Sequence, residues 1–486
     1  MILVVILLIS FLDVRINNKP YLPKCDDCNI IVIVPTNIRA DHLSLYGYER
    51  KTSPNLDKFA KNGIVFTNAF SQMSWSLPVV ASLFTSKYPF THGLMGRQVL
   101  SPNETTLAEI LKLYNYTTVA FTSGGDYRSV YGIDQGFDVF DDDDNSIIFT
   151  GSFNRTTNEA LEWLKNNKNN KKFFMFLQGY DTHCPFNPPS EYLNLFKREY
   201  TGNLNDSLCV RSVGTNPQSN SSNFTITAFY FENMTISPTY SRLVPVNITN
   251  KDIEHLISNY DSEIRYVDYL LGNFLDELER FGTLKNTIVI IIGDHGEIIG
   301  EHGRVVRVGQ VRGALYDEII HVPLIIKHPL IKKGKSIEGL VETIDIMPTI
   351  LDFLDIPINY ESQGINLVPL INGSKEEMRE FVFSGGNFGG NLELFPYYTT
   401  NDAIRSKKWK LIFERSANGI NNLELYDLEN DPNEMINLVW ENPELARALK
   451  SNLLKWENHV NTVKTLKKIT LTDEELRAVR EAGYVN

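Results

Sequence analysis

Four stretches of this 486-residue chain carry the side chains that nucleophilic or metal-assisted chemistry needs. "SWSLPVVASLFTS" (74–86) sets Ser76 at the head of an apolar helix, two residues before Pro78. "GDHGEIIGEHG" (293–303) places Asp294 beside His295 between glycines, where both can reach one metal ion. "QGYDTHCPF" (178–186) holds His183, and "PTNIRADH" (35–42) adds Thr36, Asn37 and Arg39. A serine at a helix start is either an attacking group or the cap of that helix. Its surroundings decide which.

Those stretches follow elements that can bring them together. Continuous apolar runs at 29–34, 117–123, 171–178, 286–293 and 321–327 read as strands buried on both faces. Helical periodicity fills 54–63, 105–114, 154–167 and 252–282, the last with a stripe from Ile253 to Leu278. The alternation predicts an α/β fold, a large mostly parallel sheet sandwiched by helices. Open sheets of this kind gather ligands beyond the carboxyl ends of their strands, where the three polar clusters fall.

A Ser/Thr/Asn-rich stretch over about 199–250 reads as a surface insertion in a domain spanning 25–375. Residues 376–486 read as a small C-terminal α+β domain. There "KKWKLIFE" and "NLELYDL" pair as antiparallel strands, and helices follow, one of them behind Thr472 and Glu475 as a capping box.

The net charge of −12 excludes a nucleic-acid partner, which needs a basic face. Residues 1–24 open with "MILVVILLISFL", an apolar run shorter than the roughly 20 residues of a spanning helix. It reads as a signal or membrane-anchor segment, so the chain is expected to be secreted or membrane-anchored, outside the cytoplasm. Nine Asn-x-Ser/Thr triplets, crowded between Asn205 and Asn247, fit a glycoprotein. In an exported chain Cys25 can pair with Cys28, and Cys184 with Cys209. "DDDD" (141–144) reads as a solvated loop. His42, His92, His302 and His321 read as packing or turn residues, and Trp75 as core.

In order and spacing, "RADHLSLYGYERKTSPNLDKFAKNGIVFTNAFSQ", "LPVVASLFTSKYPFTHG", "GFDVFDDD", "DTHCPFNPP", "YDSEIRYVD", "GDHGEIIGEHG" and "LYDEIIHVPLII" resemble the sulfatases of the alkaline phosphatase superfamily. The tail "KWKLIFE…LELYDLENDPNEMINL" is similar too. The resemblance implies hydrolysis of a sulfate ester by a metal-assisted nucleophile at position 76. Asp294 and His295 match the family's later metal pair, and His183 matches a histidine that contacts the substrate's anionic group. The cation is calcium by resemblance, with zinc or manganese as alternatives where imidazole ligates.

The chain also departs from the family pattern. Thr36 and Asn37 stand where it carries paired aspartates, leaving one carboxylate among the four expected ligands Thr36, Asn37, Asp294 and His295. Val79 and Val80 stand where a Ser-Arg pair directs conversion of the nucleophile to formylglycine. Ser86 replaces a glycine. Arg304, Arg307, Arg312 and Arg39 are candidates to bind the substrate anion in compensation, Arg304 and Arg39 foremost. Two alternatives stand beside sulfate hydrolysis. One is a phospho- or phosphonoester hydrolase, or phosphotransferase, using unmodified Ser76. The other is an inactive relative that binds anionic glycans at the cell surface. The partner is in each case a sulfated or phosphorylated small molecule or glycan.

Overall fold

The computed structural model describes residues 24–460, except 97, 143–151, 168–171, 197–198, 203, 205–222, 231–241, 304–314, 388–398 and 417–420. Arg304, Arg307, Arg312, Asp143, Asp144, Cys209, Asn205, Asn220, Asn233 and the expected helix after Thr472 lie outside the described residues, as does all but the last residue of 1–24.

Strands β1 (Asn29–Pro35), β2 (Ile64–Phe70), β3 (Thr117–Phe121), β4 (Val139–Asp141) and β5 (Phe173–Gly179) come first. An isolated hairpin follows, β6 (Asn223–Tyr230) with β7 (Arg242–Thr249). Then come β8 (Thr287–Ile292), β9 (His321–Lys327), β10 (Lys335–Ile337) and β11 (Val341–Glu342). The main sheet has nine described strands in the order β10-β2-β9-β8-β1-β5-β3-β4, with β11 also beside β2. All its pairings are parallel except those of β9, which runs antiparallel to β2 and to β8. The α/β sandwich expected from the sequence is thus the observed architecture.

Its centre shows why unbroken apolar runs mark buried strands. Successive side chains of a strand face opposite ways. In β1, Ile30, Val32 and Val34 enter one core while Ile31 and Ile33 enter the other. In β8, Ile288, Ile290 and Ile292 go to the first and Val289 and Ile291 to the second. The first core also takes the helix Ser76–Thr85, every residue of which is buried. The second takes the long helix Asn250–Arg280 through Leu256, Tyr260, Ile264, Val267, Leu271, Phe274 and Leu278. Thr249 starts that helix in a reciprocal capping box with Asp252.

The Ser76–Thr85 helix ends at Ser86, whose φ of 55° lies in the left-handed region that glycine adopts without strain. Its hydroxyl donates to the Ile344 carbonyl at 2.7 Å, and that anchor offsets the conformational cost of losing glycine.

A second, antiparallel sheet comprises β12 (Val382–Asn387), β13 (Thr399–Arg405), β14 (Trp409–Ser416) and β15 (Asn421–Asp427). Helix Pro443–Val460 lays Ala446, Leu449, Leu453 and Trp456 on its Ile404, Leu411, Phe413 and Leu425. This sheet reaches the first through β12. Ser384 Oγ donates to the Ser71 carbonyl at 2.5 Å, and Gly385 N–H to the Gln72 carbonyl at 2.8 Å. The loop it holds leads directly into Ser76. No described helix is long and apolar enough to cross a membrane.

Candidate active site

Strands β8, β1, β5 and β3 lie side by side and parallel, so their carboxyl ends share one edge. Thr36 and Asn37 leave β1 there, Tyr127 follows β3, Thr182 and His183 follow β5, and Asp294 and His295 follow β8. This is the edge at which such sheets assemble ligand sites.

The contacts among these residues are direct. Asn37 takes φ 58°, a conformation asparagine tolerates, and its N–H donates to Asp294 Oδ1 at 3.0 Å. His295 N–H donates to the same oxygen at 2.7 Å. The Tyr127 hydroxyl donates to Asp294 Oδ2 at 3.0 Å. Ser76 Oγ lies 3.2 Å from His295 Nε2. Trp75, and not Ser76, occupies the N-cap position of the Ser76–Thr85 helix. The Ser76 hydroxyl faces the Asp294–His295 pair.

Ser76, Asp294 and His295 are at most 2% exposed. Burial pushes the Asp294 carboxyl up to about 6, against the neighbouring Ser76 hydroxyl and the hydrogen bonds from Asn37, His295 and Tyr127, which favour its charged form. Gly296 next to the pair is required by space. A Cβ there would stand 2.0 Å from the Glu318 carbonyl oxygen, while its N–H donates to the Ile319 carbonyl at 2.7 Å.

Thr36, Asn37, Asp294 and His295 therefore converge as the sequence led one to expect, yet their donor set does not fit a divalent cation. Both oxygens of the single carboxylate already accept protein N–H or O–H donors. Thr36 Oγ1 accepts from Gln178 Nε2 at 2.9 Å, and Asn37 spends its amide on Glu297 Oε2 at 2.9 Å. Glu297 Oε1 also faces the Ile298 N–H at 3.3 Å. Calcium draws six to eight oxygens and gains affinity with carboxylate count. Among the described residues no three His, Cys, Asp or Glu side chains form a metal-holding group. Val79 and Val80 are buried in the apolar core, so no guanidinium stands where the family carries its arginine.

His183 is seated by its neighbours. The Thr182 hydroxyl donates to the Thr36 carbonyl, His183 Nδ1 bonds the Cys184 carbonyl at 2.7 Å, and the ring meets Tyr180 edge-on.

Arg39 corrects an expectation. Its Nε and Nη2 clasp Asp41 at 2.9 and 2.7 Å, and Nη1 donates to the Glu297 carbonyl and to Glu301. Burial opposes its charge, but Asp41 and Glu301 outweigh that and hold it protonated. A guanidinium so engaged braces the site from behind and does not face a substrate. The packing histidines behave as expected. His42 bonds Asp261, His92 bonds Ser82, His321 bonds the Thr67 carbonyl, and His302 stacks on Tyr316. Trp75 is in the core.

Sequence reasoning missed Tyr127, Gln178 and Glu297. Tyr127 sits in "SGGDYRS" at the end of a recognised strand, the same position in the fold that singled out the other clusters.

Comparison with known proteins gives matches along most of the chain. A family model described as sulfatase covers residues 28–356, and one described as N-sulphoglucosamine sulphohydrolase, C-terminal, covers 307–459. An arylsulfatase of Clostridium perfringens is 25% identical over 467 residues, 85% of this chain and 90% of its own. An N-acetylglucosamine-6-O-sulfatase of Bacteroides thetaiotaomicron is 24% identical, covering 84% of this chain and 82% of its own. A solved structure in complex with its substrate D-glucosamine-2-N,6-O-disulfate shares the fold with a TM-score of 0.69 at 20% identity, over 89% of this chain and 98% of its own. The phosphonate monoester hydrolase of Agrobacterium radiobacter does so with 0.67 at 20%, over 92% and 98%.

Proposed function

The chain belongs to the sulfatase family, and from that premise we propose that it hydrolyses a sulfuric ester, with the Ser76 hydroxyl as the attacking group. The observation that carries this reading is the position of Ser76 Oγ, 3.2 Å from His295 Nε2 and next to Asp294 where four strands end. The helix behind it is ten residues long, and its N-terminal partial positive charge favours an anion in front of Ser76. His183 contributes a second polar group for the sulfuryl oxygens.

Attack forms the Oγ–S bond while the ester S–O bond breaks and the alcohol leaves with a proton. Water then cleaves the Ser76 sulfate ester, returning the serine and releasing sulfate. Charge building on the sulfuryl oxygens is where fixed donors act most strongly.

A sulfated amino sugar is the substrate class this reading favours, because one similar protein is named an N-acetylglucosamine-6-O-sulfatase and one similar solved structure is in complex with D-glucosamine-2-N,6-O-disulfate as its substrate. The reading also puts the chain outside the cytoplasm. Cys25 is bonded to Cys28, and Cys184 is in a disulfide, as an oxidising compartment permits. Asn103, Asn115 and Asn154 are exposed, as glycosylation requires.

Purified protein incubated with 4-nitrophenyl sulfate and with glucosamine 6-sulfate should release sulfate. Ser76→Ala should lose at least about 100-fold in kcat while still unfolding in one cooperative thermal transition. Absence of release from both substrates, or a fully active Ser76→Ala, would sink the proposal. A serine that stays a plain hydroxyl also suits a phosphonate ester. Release of nitrophenol from a phenylphosphonate monoester and not from the sulfate would favour that second reading.

A further inference from the structure

We propose that His295 is the general base that activates Ser76, and that the step proceeds without the divalent cation the family ordinarily supplies. This deepens the reading of Ser76 as nucleophile and rests on it.

The geometry carries the inference. His295 Nδ1 is 2.9 Å from the Gly296 carbonyl oxygen, which can only accept, so the ring proton sits on Nδ1. Nε2 then presents its lone pair to Ser76 Oγ at 3.2 Å, within reach for proton abstraction. Asp294 Oδ2 lies 3.5 Å from the same Nε2 and can steady the imidazolium once the proton arrives. Nucleophile and base thus meet at Nε2 while the Gly296 carbonyl orients the ring from Nδ1, the nucleophile–base–orienter logic of activated serines with a carbonyl in the orienting place. The same contacts argue against a cation. Nε2 cannot hold a metal and accept the Ser76 proton together, and the Asp294 oxygens are filled by Asn37, His295 and Tyr127.

In the step, the Ser76 Oγ–H proton passes to His295 Nε2 as Oγ bonds to sulfur. The ester S–O bond breaks and its electron pair goes to the alcohol oxygen, which takes the proton back from Nε2. In the second half a water gives its proton to Nε2, its oxygen bonds sulfur, and Oγ leaves and is reprotonated.

Methanesulfonyl fluoride tests the first half without needing turnover. Ser76 Oγ would form a bond to sulfur, fluoride would leave, and the peptide carrying Ser76 would gain the methanesulfonyl mass. Full-length protein stripped with EDTA should label Ser76 at the same rate, within about twofold, as protein in excess calcium. His295→Asn keeps an oxygen donor for a cation but removes the base, and should label about 100-fold more slowly, with no rescue by calcium. Labelling of the wild type that requires calcium, or absent in every condition, would overturn the proposal. So would His295→Asn labelling at the wild-type rate. The wild-type comparison holds even if the variant fails to fold. Cation-independent labelling without sulfate release would leave this inference standing and remove the sulfuric ester from the function.

Discussion

Asp294 is buried and accepts hydrogen bonds on both oxygens, two on Oδ1 and the Tyr127 hydroxyl on Oδ2, so losing Tyr127 leaves Oδ2 short of its donor. Tyr127→Phe removes only the hydroxyl on Oδ2. We expect the unfolding free energy in urea to fall by about 1–3 kcal/mol, and turnover to drop as Asp294 settles differently against His295. An unchanged urea midpoint would show that Asp294 does not depend on Tyr127. At this scale the sequence was a good guide to which residues meet and a poor one to what they do on meeting. Ser76, Asp294 and His295 were legible because each breaks an apolar pattern at a strand or helix end. Arg39 was misread because a sequence displays a charge without the partners that consume it, here Asp41 and Glu301.

Elements were legible in proportion to how completely they are buried. The unbroken runs of β1, β5 and β8 announce central strands. β2 was overlooked, since "IVFTNAF" mixes polar and apolar residues in a strand only partly covered. The direction of β9 left no trace in its composition. It runs backwards because the chain, having crossed the site edge after β8, re-enters the sheet from that same edge. Glu318 and Ile319 are thereby delivered against Gly296. Gly296→Ala would drive a methyl into the Glu318 carbonyl and tilt the carbonyl that orients His295. A stability loss of about 1–3 kcal/mol is expected, together with a fall in kcat larger than any change in KM. Wild-type kcat in that variant would show that the Gly296 carbonyl does not set the ring.

For the whole molecule, stability against pH follows from acids kept from water. Burial pushes the Asp181 carboxyl up to about 6, and it pushes Glu263 well above its ordinary value with the Asp181 charge adding to the effect. An acid raised in the fold keeps a proton that the unfolded chain gives up near pH 4. Its contribution is full below that pH and is lost as pH climbs through 6, and further up for Glu263. The melting temperature should therefore fall between pH 5 and pH 8. Asp181→Asn combined with Glu263→Gln should make that fall shallower and raise the pH 8 value, and an identical slope would refute the assignment. The sequence offered the two-sheet plan and the "DTH" loop. It could not offer a repulsion between residues on β5's exit and the long helix, since that pairing exists only after folding.

The strand contact that seats the Ser71–Gln72 loop spans more than three hundred positions of chain, from Ser71 to Ser384. A ribosome has finished everything that touches Ser76 in the first sheet well before it reaches β12. Nascent chains, and products of premature stop codons upstream of that strand, would carry every reactive side chain and still hold them loosely. Chemical competence thus arrives only once β12 has been made, so an active enzyme is not assembled from half a polypeptide.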